Sequence, residues 1–197
     1  TIWDYERLVL ERFPDLYKVK CIPADAARRP ESLGAVDLVV IPRVRGQSTA
    51  NPFEPKAPAA LIQEIEAYLD DKRPPQAALR VRNAHFVQVK VRVGVRFKGA
   101  GDEGFYKKRL NEELNRHLSP WAYEEGADIV IGGKIFANSI VSFIDSRDYV
   151  DYVATIKLFS CEDGRTFKMA QPLPGQGYFV ATERPDGVLV AALEHEI

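Results

Sequence analysis

The chain has 197 residues and a mass of 22.1 kDa, is 46% hydrophobic and 28% charged, and carries a formal net charge of −1. A chain of this length buries roughly 70% of its unfolded surface on folding, so size alone demands neither a disulfide framework nor a metal staple. The near-zero charge balance excludes a generic polyanion binder and a polybasic membrane protein, and no apolar run approaches the ~20 residues of a membrane helix.

The opening Thr1-Ile2-Trp3-Asp4-Tyr5-Glu6 is acidic and amphipathic, unlike a signal peptide, and a start on Thr rather than Met leads us to expect a piece of a longer chain. Residues 4–12 predict a short helix in which Tyr5, Leu8 and Val9 share a face and which Pro14 ends. Two strands follow, Leu16–Ile22 and Val36–Pro42, around a turn-rich loop with Pro23, Arg28, Arg29, Pro30 and Gly34. Residues 43–57, with Gly46, Asn51, Pro52 and Pro55, read as an extended loop. Pro58 then opens a helix, and Leu61, Ile65 and Leu69 recur at four-residue spacing on its buried stripe. Asp71-Lys72-Arg73-Pro74-Pro75 stops that helix, and Ala78–Arg82 completes a first α+β unit.

From Val87 to Phe97 every odd position is Val or Phe, whereas Gln88, Lys90, Arg92, Gly94 and Arg96 occupy the even ones. A period of two predicts a strand with one dry face and one wet, basic face. That basic face is either a plain solvated surface that discourages unwanted pairing or a contact for an acidic partner. After the turn Lys98-Gly99-Ala100-Gly101, Asp102 is an N-cap for a helix to Leu118, with Tyr106, Leu110, Leu114 and Leu118 stepping by four along its inner face. Pro120 cannot continue that helix, and Trp121 and Tyr123 stand beside the stop as large apolar anchors. Gly126 and Gly132-Gly133 punctuate the next loop, a second helix spans about 136–146 with Ile140, Phe143 and Ile144 on one side, and a strand runs Tyr149–Phe159. Short strands Arg165–Ala170, Tyr178–Thr182 and Val188–Leu193 close the chain.

The fold class is therefore α+β, with two consecutive small units, strand-strand-helix-strand and then strand-helix-helix-strand, followed by a β-rich carboxyl-terminal tail. The boundaries fall at 1–83, 84–160 and 161–197, with candidate hinges at Pro74-Pro75 and near Asn83-Ala84. Cys21 and Cys161 lie far apart with no CxxC spacing, which fits a reducing compartment, although a single bridge between them stays open.

A search for chemistry returns little. His85, His117 and His195 have no metal-ligand spacing with one another or with a cysteine, and His195-Glu196 is not an HExxH motif. His117, beside the inward-facing Leu114 and Leu118, reads as a partly exposed structural residue. No GxSxG elbow exists, so Ser48, Ser119, Ser139 and Ser146 read as loop or cap residues. Glu124, Glu125 and Asp128 form the one acidic cluster near glycines, and with Lys134 they define the alternative reading, a small-ligand or metal-dependent enzyme domain. Gly132-Gly133-Lys134 lacks the GxxxxGK[ST] frame of a phosphate cradle and reads as a backbone turn. Lys18, Lys20, Arg28, Arg29, Arg43 and Arg45 make the amino-terminal region basic without the interleaved aromatics of a nucleic-acid binder. Neither catalytic nor cofactor-binding nor metal-binding residues are assigned. The residues favour a structural or interaction module over an enzyme.

The order of features resembles the baseplate J-like family, the wedge proteins of contractile phage tails and related contractile injection systems. The likeness spans roughly residues 10–160. It rests on Phe13-Pro14 with Tyr17-Lys18-Val19-Lys20-Cys21, Val39-Val40-Ile41-Pro42, Ile65 with Tyr68-Leu69, and Lys72-Arg73-Pro74. It continues through the alternating strand 86–97, Leu118-Ser119-Pro120-Trp121, Gly132-Gly133-Lys134-Ile135-Phe136 with Ser139-Ile140, and Tyr149-Val150-Asp151-Tyr152-Val153. The resemblance implies the carboxyl-terminal part of a longer, non-enzymatic protein that needs no cofactor. It further implies that the protein pairs with another wedge subunit in a ring around hub and spike, anchors the sheath and rearranges on firing. Assembly in the bacterial cytoplasm into a phage tail or tail-like particle follows, with neither nucleic acid nor membrane insertion among the partners. The Phe13-Pro14 start and the Ser119-Pro120-Trp121 element point towards the extracellular injection particles. Two expectations come with this reading: Trp121 and Phe143 pack within the second unit, and charge reversal at Arg92 and Arg96 spares the fold while weakening a wedge contact.

Overall fold

The computed structural model describes residues 2–23, 35–44, 51–73, 78–99, 101–175 and 177–197. The chain divides into two compact units, Thr1–His85 and Phe86–Ile197. Arg28, Arg29, Pro30, Gly34, Arg45, Gly46, Ser48, the Pro74-Pro75 exit and Ala100 of the turn before the third helix lie outside the described residues.

In the first unit, helix α1 (Ile2–Arg12) buries Val9 completely and half-buries Tyr5 and Leu8, the face its periodicity predicts. Strand β1 (Leu16–Pro23) runs antiparallel to β2 (Val36–Pro42), which runs parallel to β3 (Leu79–Asn83). A parallel neighbour requires a crossover, and helix α2 (Ala59–Asp70) lies in it. The buried Ile65 and Leu69 of α2 pack with Val9, Phe13, Leu16, Leu38 and Val40 into one core. As the central strand, β2 is buried on both faces, which explains its unbroken run Leu38-Val39-Val40-Ile41. One N–H of each outer strand meets a helix carboxylate: Glu6 Oε1 accepts from Cys21 N at 2.7 Å, and Glu66 Oε1 accepts from Val81 N at 3.1 Å.

The second unit is built on strand β4 (His85–Phe97), whose Val87, Val89, Val91 and Val93 are buried while Arg92 and Arg96 are exposed. Helix α3 (Glu103–Leu118) starts as expected, with the Asp102 carboxylate accepting from Gly104 N at 2.9 Å. After a 3₁₀ turn (Pro120–Ala122) come strand β5 (Lys134–Phe136), helix α4 (Ala137–Asp145), strand β6 (Val150–Cys161), and strands β7 (Lys168–Met169), β8 (Phe179–Ala181) and β9 (Gly187–Ala191). The main sheet has the order β7-β6-β4-β9, and β5 pairs with β8 in a separate two-stranded ladder. Leu110, Leu114 and Leu118 of α3 and Ile140 and Ile144 of α4 are buried with Val87, Val89, Val91 and Val93 of β4, Leu158 and Val188–Ala192 to form the core.

The architecture is α+β, as the sequence predicts. Three details differ from the expectation. The segment 161–197, read as a separate tail, supplies β9 to the sheet of the second unit, because an all-buried Gly187–Ala191 run needs a core face to lie on. Gly132-Gly133-Lys134 leads into β5 before the helix begins, since β8 offers a ladder partner that no local pattern reveals. Trp121 and Phe143 are half-buried, short of full burial; within the second unit Phe143 stacks face to face on His117 at a ring separation of 4.1 Å and shields part of that imidazole.

Candidate interaction surface

The alternation that buries the valines of β4 turns Lys90, Arg92, Gly94 and Arg96 to the opposite face. Antiparallel pairing with β6 sets Phe159 beside Lys90, Lys157 beside Arg92, Thr155 beside Gly94 and Tyr152 beside Arg96. Directly opposed residues share a face, so two strands together build this surface. Its cations are held in place. The Arg92 guanidinium lies 4.8 Å over the ring of Phe159, and Lys90 Nζ lies 4.5 Å over Phe167. Arg92 also pairs with Glu196, and Arg96 stands 3.8 Å from Asp151.

Lys90, Arg92, Arg96 and Lys157 outnumber Asp151 and Glu196 by two on a chain whose net charge is −1. The face is thus locally positive on a chain that is close to neutral. The centre of the face is low, because Gly94 has no side chain and a Cβ there would come within 2.9 Å of Thr155 Oγ1. Tyr152, 47% exposed, rises at one side. An open cavity of about 770 Å³ continues from it, lined by Gly94, Arg96, Lys98, Glu103, Lys107 and Asp151.

The β9 edge of this sheet is covered, and β6 is bulged. Ser119 Oγ accepts from Ala191 N at 2.8 Å and Gly132 N donates to Gly187 O at 2.8 Å, so β9 is covered on its outer side. Along β6, the outer N–H of Leu158 donates to Tyr178 Oη at 2.7 Å, and two register shifts opposite Gly94–Phe97 bulge the strand. Bulges and covered edges oppose strand addition, which leaves the face as the open surface of this sheet.

The residues of the enzyme reading are all on the surface. Glu124, Glu125, Asp128 and Lys134 are exposed. Lys134 reaches over the Phe179 ring at 4.6 Å, and Glu124 lines a cavity of about 380 Å³ with Glu113, Arg116, His117, Phe143 and Arg147. Among the described residues no three His, Cys, Asp or Glu side chains are gathered as metal ligands. Gly132 sits in a turn at φ +76°, a conformation that glycine favours. Both cysteines are free and buried, and burial pushes the Cys21 thiol up to about 12. No helix among the described residues is long and apolar enough to cross a membrane. Lys18, Lys20 and Arg43 of the basic amino-terminal region are described, and the Arg43 guanidinium donates to Pro14 O at 2.8 Å.

Sequence reasoning missed the aromatic partners of the cations and the role of Ser119. Phe159 could have been found by extending the period of β4 to its partner strand; Phe167 and Ser119 act across turns and carry no local signal.

A family model described as "Baseplate protein PVC11-like" matches residues 2–169. No curated protein matches. Among solved structures, a chain in the cryo-EM structure of the anti-feeding prophage (AFP) baseplate, 6-fold symmetrised, is similar at a TM-score of 0.66 and 18% identity. The match covers 97% of this chain and 37% of that one, so the present chain spans little more than a third of the length of its structural relative. At that identity the likeness establishes a shared fold.

Proposed function

The chain belongs to the PVC11-like family of baseplate proteins, and from that premise we propose that it is a structural part of the baseplate of a contractile injection system, docking through the basic outer face of the β4–β6 sheet onto an acidic surface of another baseplate subunit. One observation carries this reading: the sheet has a covered β9 edge, a bulged β6 and an open face with an excess of two positive charges, of which Arg92 and Lys90 lie over aromatic rings. Cations ordered before binding lose less side-chain entropy on contact, and charge complementarity raises the rate and specificity of docking.

The finer reading is part of the same proposal. The chain is a wedge subunit of the baseplate J-like type that pairs with a second wedge chain, helps form the ring around hub and spike and anchors the sheath, after assembly in the bacterial cytoplasm. It does no bond-making, and Glu124, Glu125, Asp128 and Lys134 have no catalytic role. Its parts are 1–83 and 84–160 as read from the sequence, with 161–197 a β-rich tail whose β9 completes the sheet of the second part. The Asn83 side chain accepts from Ala57 N at 2.7 Å and donates to Ala57 O at 3.0 Å, so any hinge near this boundary begins after Asn83.

Arg92 is engaged by Glu196, so the cleaner test reverses Arg96 and Lys157 together, both exposed. The double variant Arg96→Glu, Lys157→Glu is expected to melt within a few degrees of the parent, as surface substitutions do. Its incorporation into baseplates, read by co-purification, is expected to fall at least tenfold and to weaken further in high salt. Unchanged incorporation would return this face to plain solvent exposure.

A further inference from the structure

An imidazole is built into a β-ladder of the second unit. Beyond β9 the chain turns along β4: Ala192 N–H donates to Val89 O at 2.9 Å, Glu196 N–H to Val91 O at 2.9 Å, and Val93 N–H to Glu196 O at 2.8 Å. Between them, Val91 N–H donates to Nδ1 of His195 at 3.1 Å instead of to a carbonyl. Helix α3 holds the same segment from the side. The side-chain N–H groups of Asn111 and Asn115 donate to Leu193 O at 3.3 and 3.2 Å, and Asn111 Oδ1 accepts from His195 N at 2.8 Å.

This arrangement fixes the protonation state of the ring. Nδ1 has to present a lone pair to Val91, so the single ring proton belongs on Nε2, which is buried without a partner among the described residues. A second proton would set an N–H of the ring against the N–H of Val91 and leave two further buried donors unsatisfied beside Nε2. We propose that residues 192–197 form a strap on the β4 edge, latched by His195 while its ring is neutral and released when the ring takes up a proton.

The surroundings do not rescue the charged ring. From β4, Lys90 adds its positive charge to the effect of burial, and together they push the His195 pKa down from 6.5 to about 4, burial being the larger cause. From α3 the strap meets Asn111 and Asn115, which are neutral, and the neighbouring Arg92 and Glu196 pair with each other. A depressed imidazole pKa means that the released, exposed ring binds the proton more readily. Latching is therefore complete above about pH 6.5 and is lost as the pH falls from there to about 4, a change of up to ~300-fold in the opening equilibrium.

The test is amide hydrogen exchange on the full chain at pH 7 and pH 4, corrected for intrinsic rates, in the parent and in His195→Asn, whose side-chain oxygen still accepts but cannot be protonated. Protection at Val91, Val93 and Glu196 is expected to fall at least tenfold in the parent and to stay level in H195N, while amides paired between β4 and β6 keep theirs. Equal pH dependence in both proteins, or none in the parent, would overturn the latch. Ring ¹⁵N shifts of the parent provide a second measurement that needs no variant. A proton on Nε2 alone down to pH 5 supports the proposal, and an ordinary titration near pH 6.5 refutes it.

Discussion

Asp37 is a carboxylate in the central strand of the first unit with only 2% of its surface exposed, and Arg82 on β3 donates to it at 2.9 Å. A buried charge of this kind adds little net stability while paired, but loss of the Arg82 guanidinium takes a cation from beside a carboxylate that has almost no access to solvent. Arg82→Ala is therefore expected to lower unfolding stability by about 3 kcal/mol, measured by urea titration, whereas the isolated surface change Arg7→Ala should cost less than about 0.5 kcal/mol. Phe143 belongs to another class. Its ring is half-buried between His117 and Arg147, whose guanidinium lies 4.4 Å over it. Phe143→Ala is expected to cost about 2 kcal/mol, below the range for a fully buried ring. It should also uncover His117. Burial is the main cause that holds the His117 pKa below its ordinary value, with the Arg147 charge second, so the variant's His117 should titrate at higher pH in an NMR series. An unmoved titration would mean that the stack does not shield the imidazole.

At the level of elements, the contrast between Ser119 and β4 explains what the sequence could and could not disclose. The dry and wet faces of β4 follow from a period of two within 11 residues, 87–97, and the helix α3 follows from its cap at Asp102 and a four-residue step. Such signals are local, and the structure carries them over almost unchanged. Ser119 reads locally as a loop or cap residue, yet its hydroxyl accepts from Ala191 N, 72 positions away, with no exposure to solvent. Strands β5, β7 and β8 have two or three residues each and exist only because a partner strand is present. The basic face was legible as half of a surface, from β4; its other half, from Tyr152 to Phe159 on β6, required the register. Ser119→Ala tests the edge cap. Leaving the buried N–H of Ala191 without its acceptor should lower the melting midpoint by several degrees, equivalent to about 1–3 kcal/mol. A midpoint within one degree of the parent would show that water or backbone movement replaces the bond.

For the molecule as a whole, the two units share a way of limiting strand pairing. Helix carboxylates at Cys21 and Val81, the Ser119 hydroxyl at Ala191 and the bulges of β6 each discourage indiscriminate strand pairing. What remains open is a face with ordered cations, and a family whose members are baseplate proteins gives such a face a use. The most direct measurement is zero-length carbodiimide cross-linking of intact particles, which joins a lysine to a carboxylate only where the two are in contact. Lys157, and Lys90 beside it, are expected to become linked to aspartates or glutamates of another baseplate subunit. Particles in which lysines elsewhere on this chain form such links while Lys157 and Lys90 form none would contradict it.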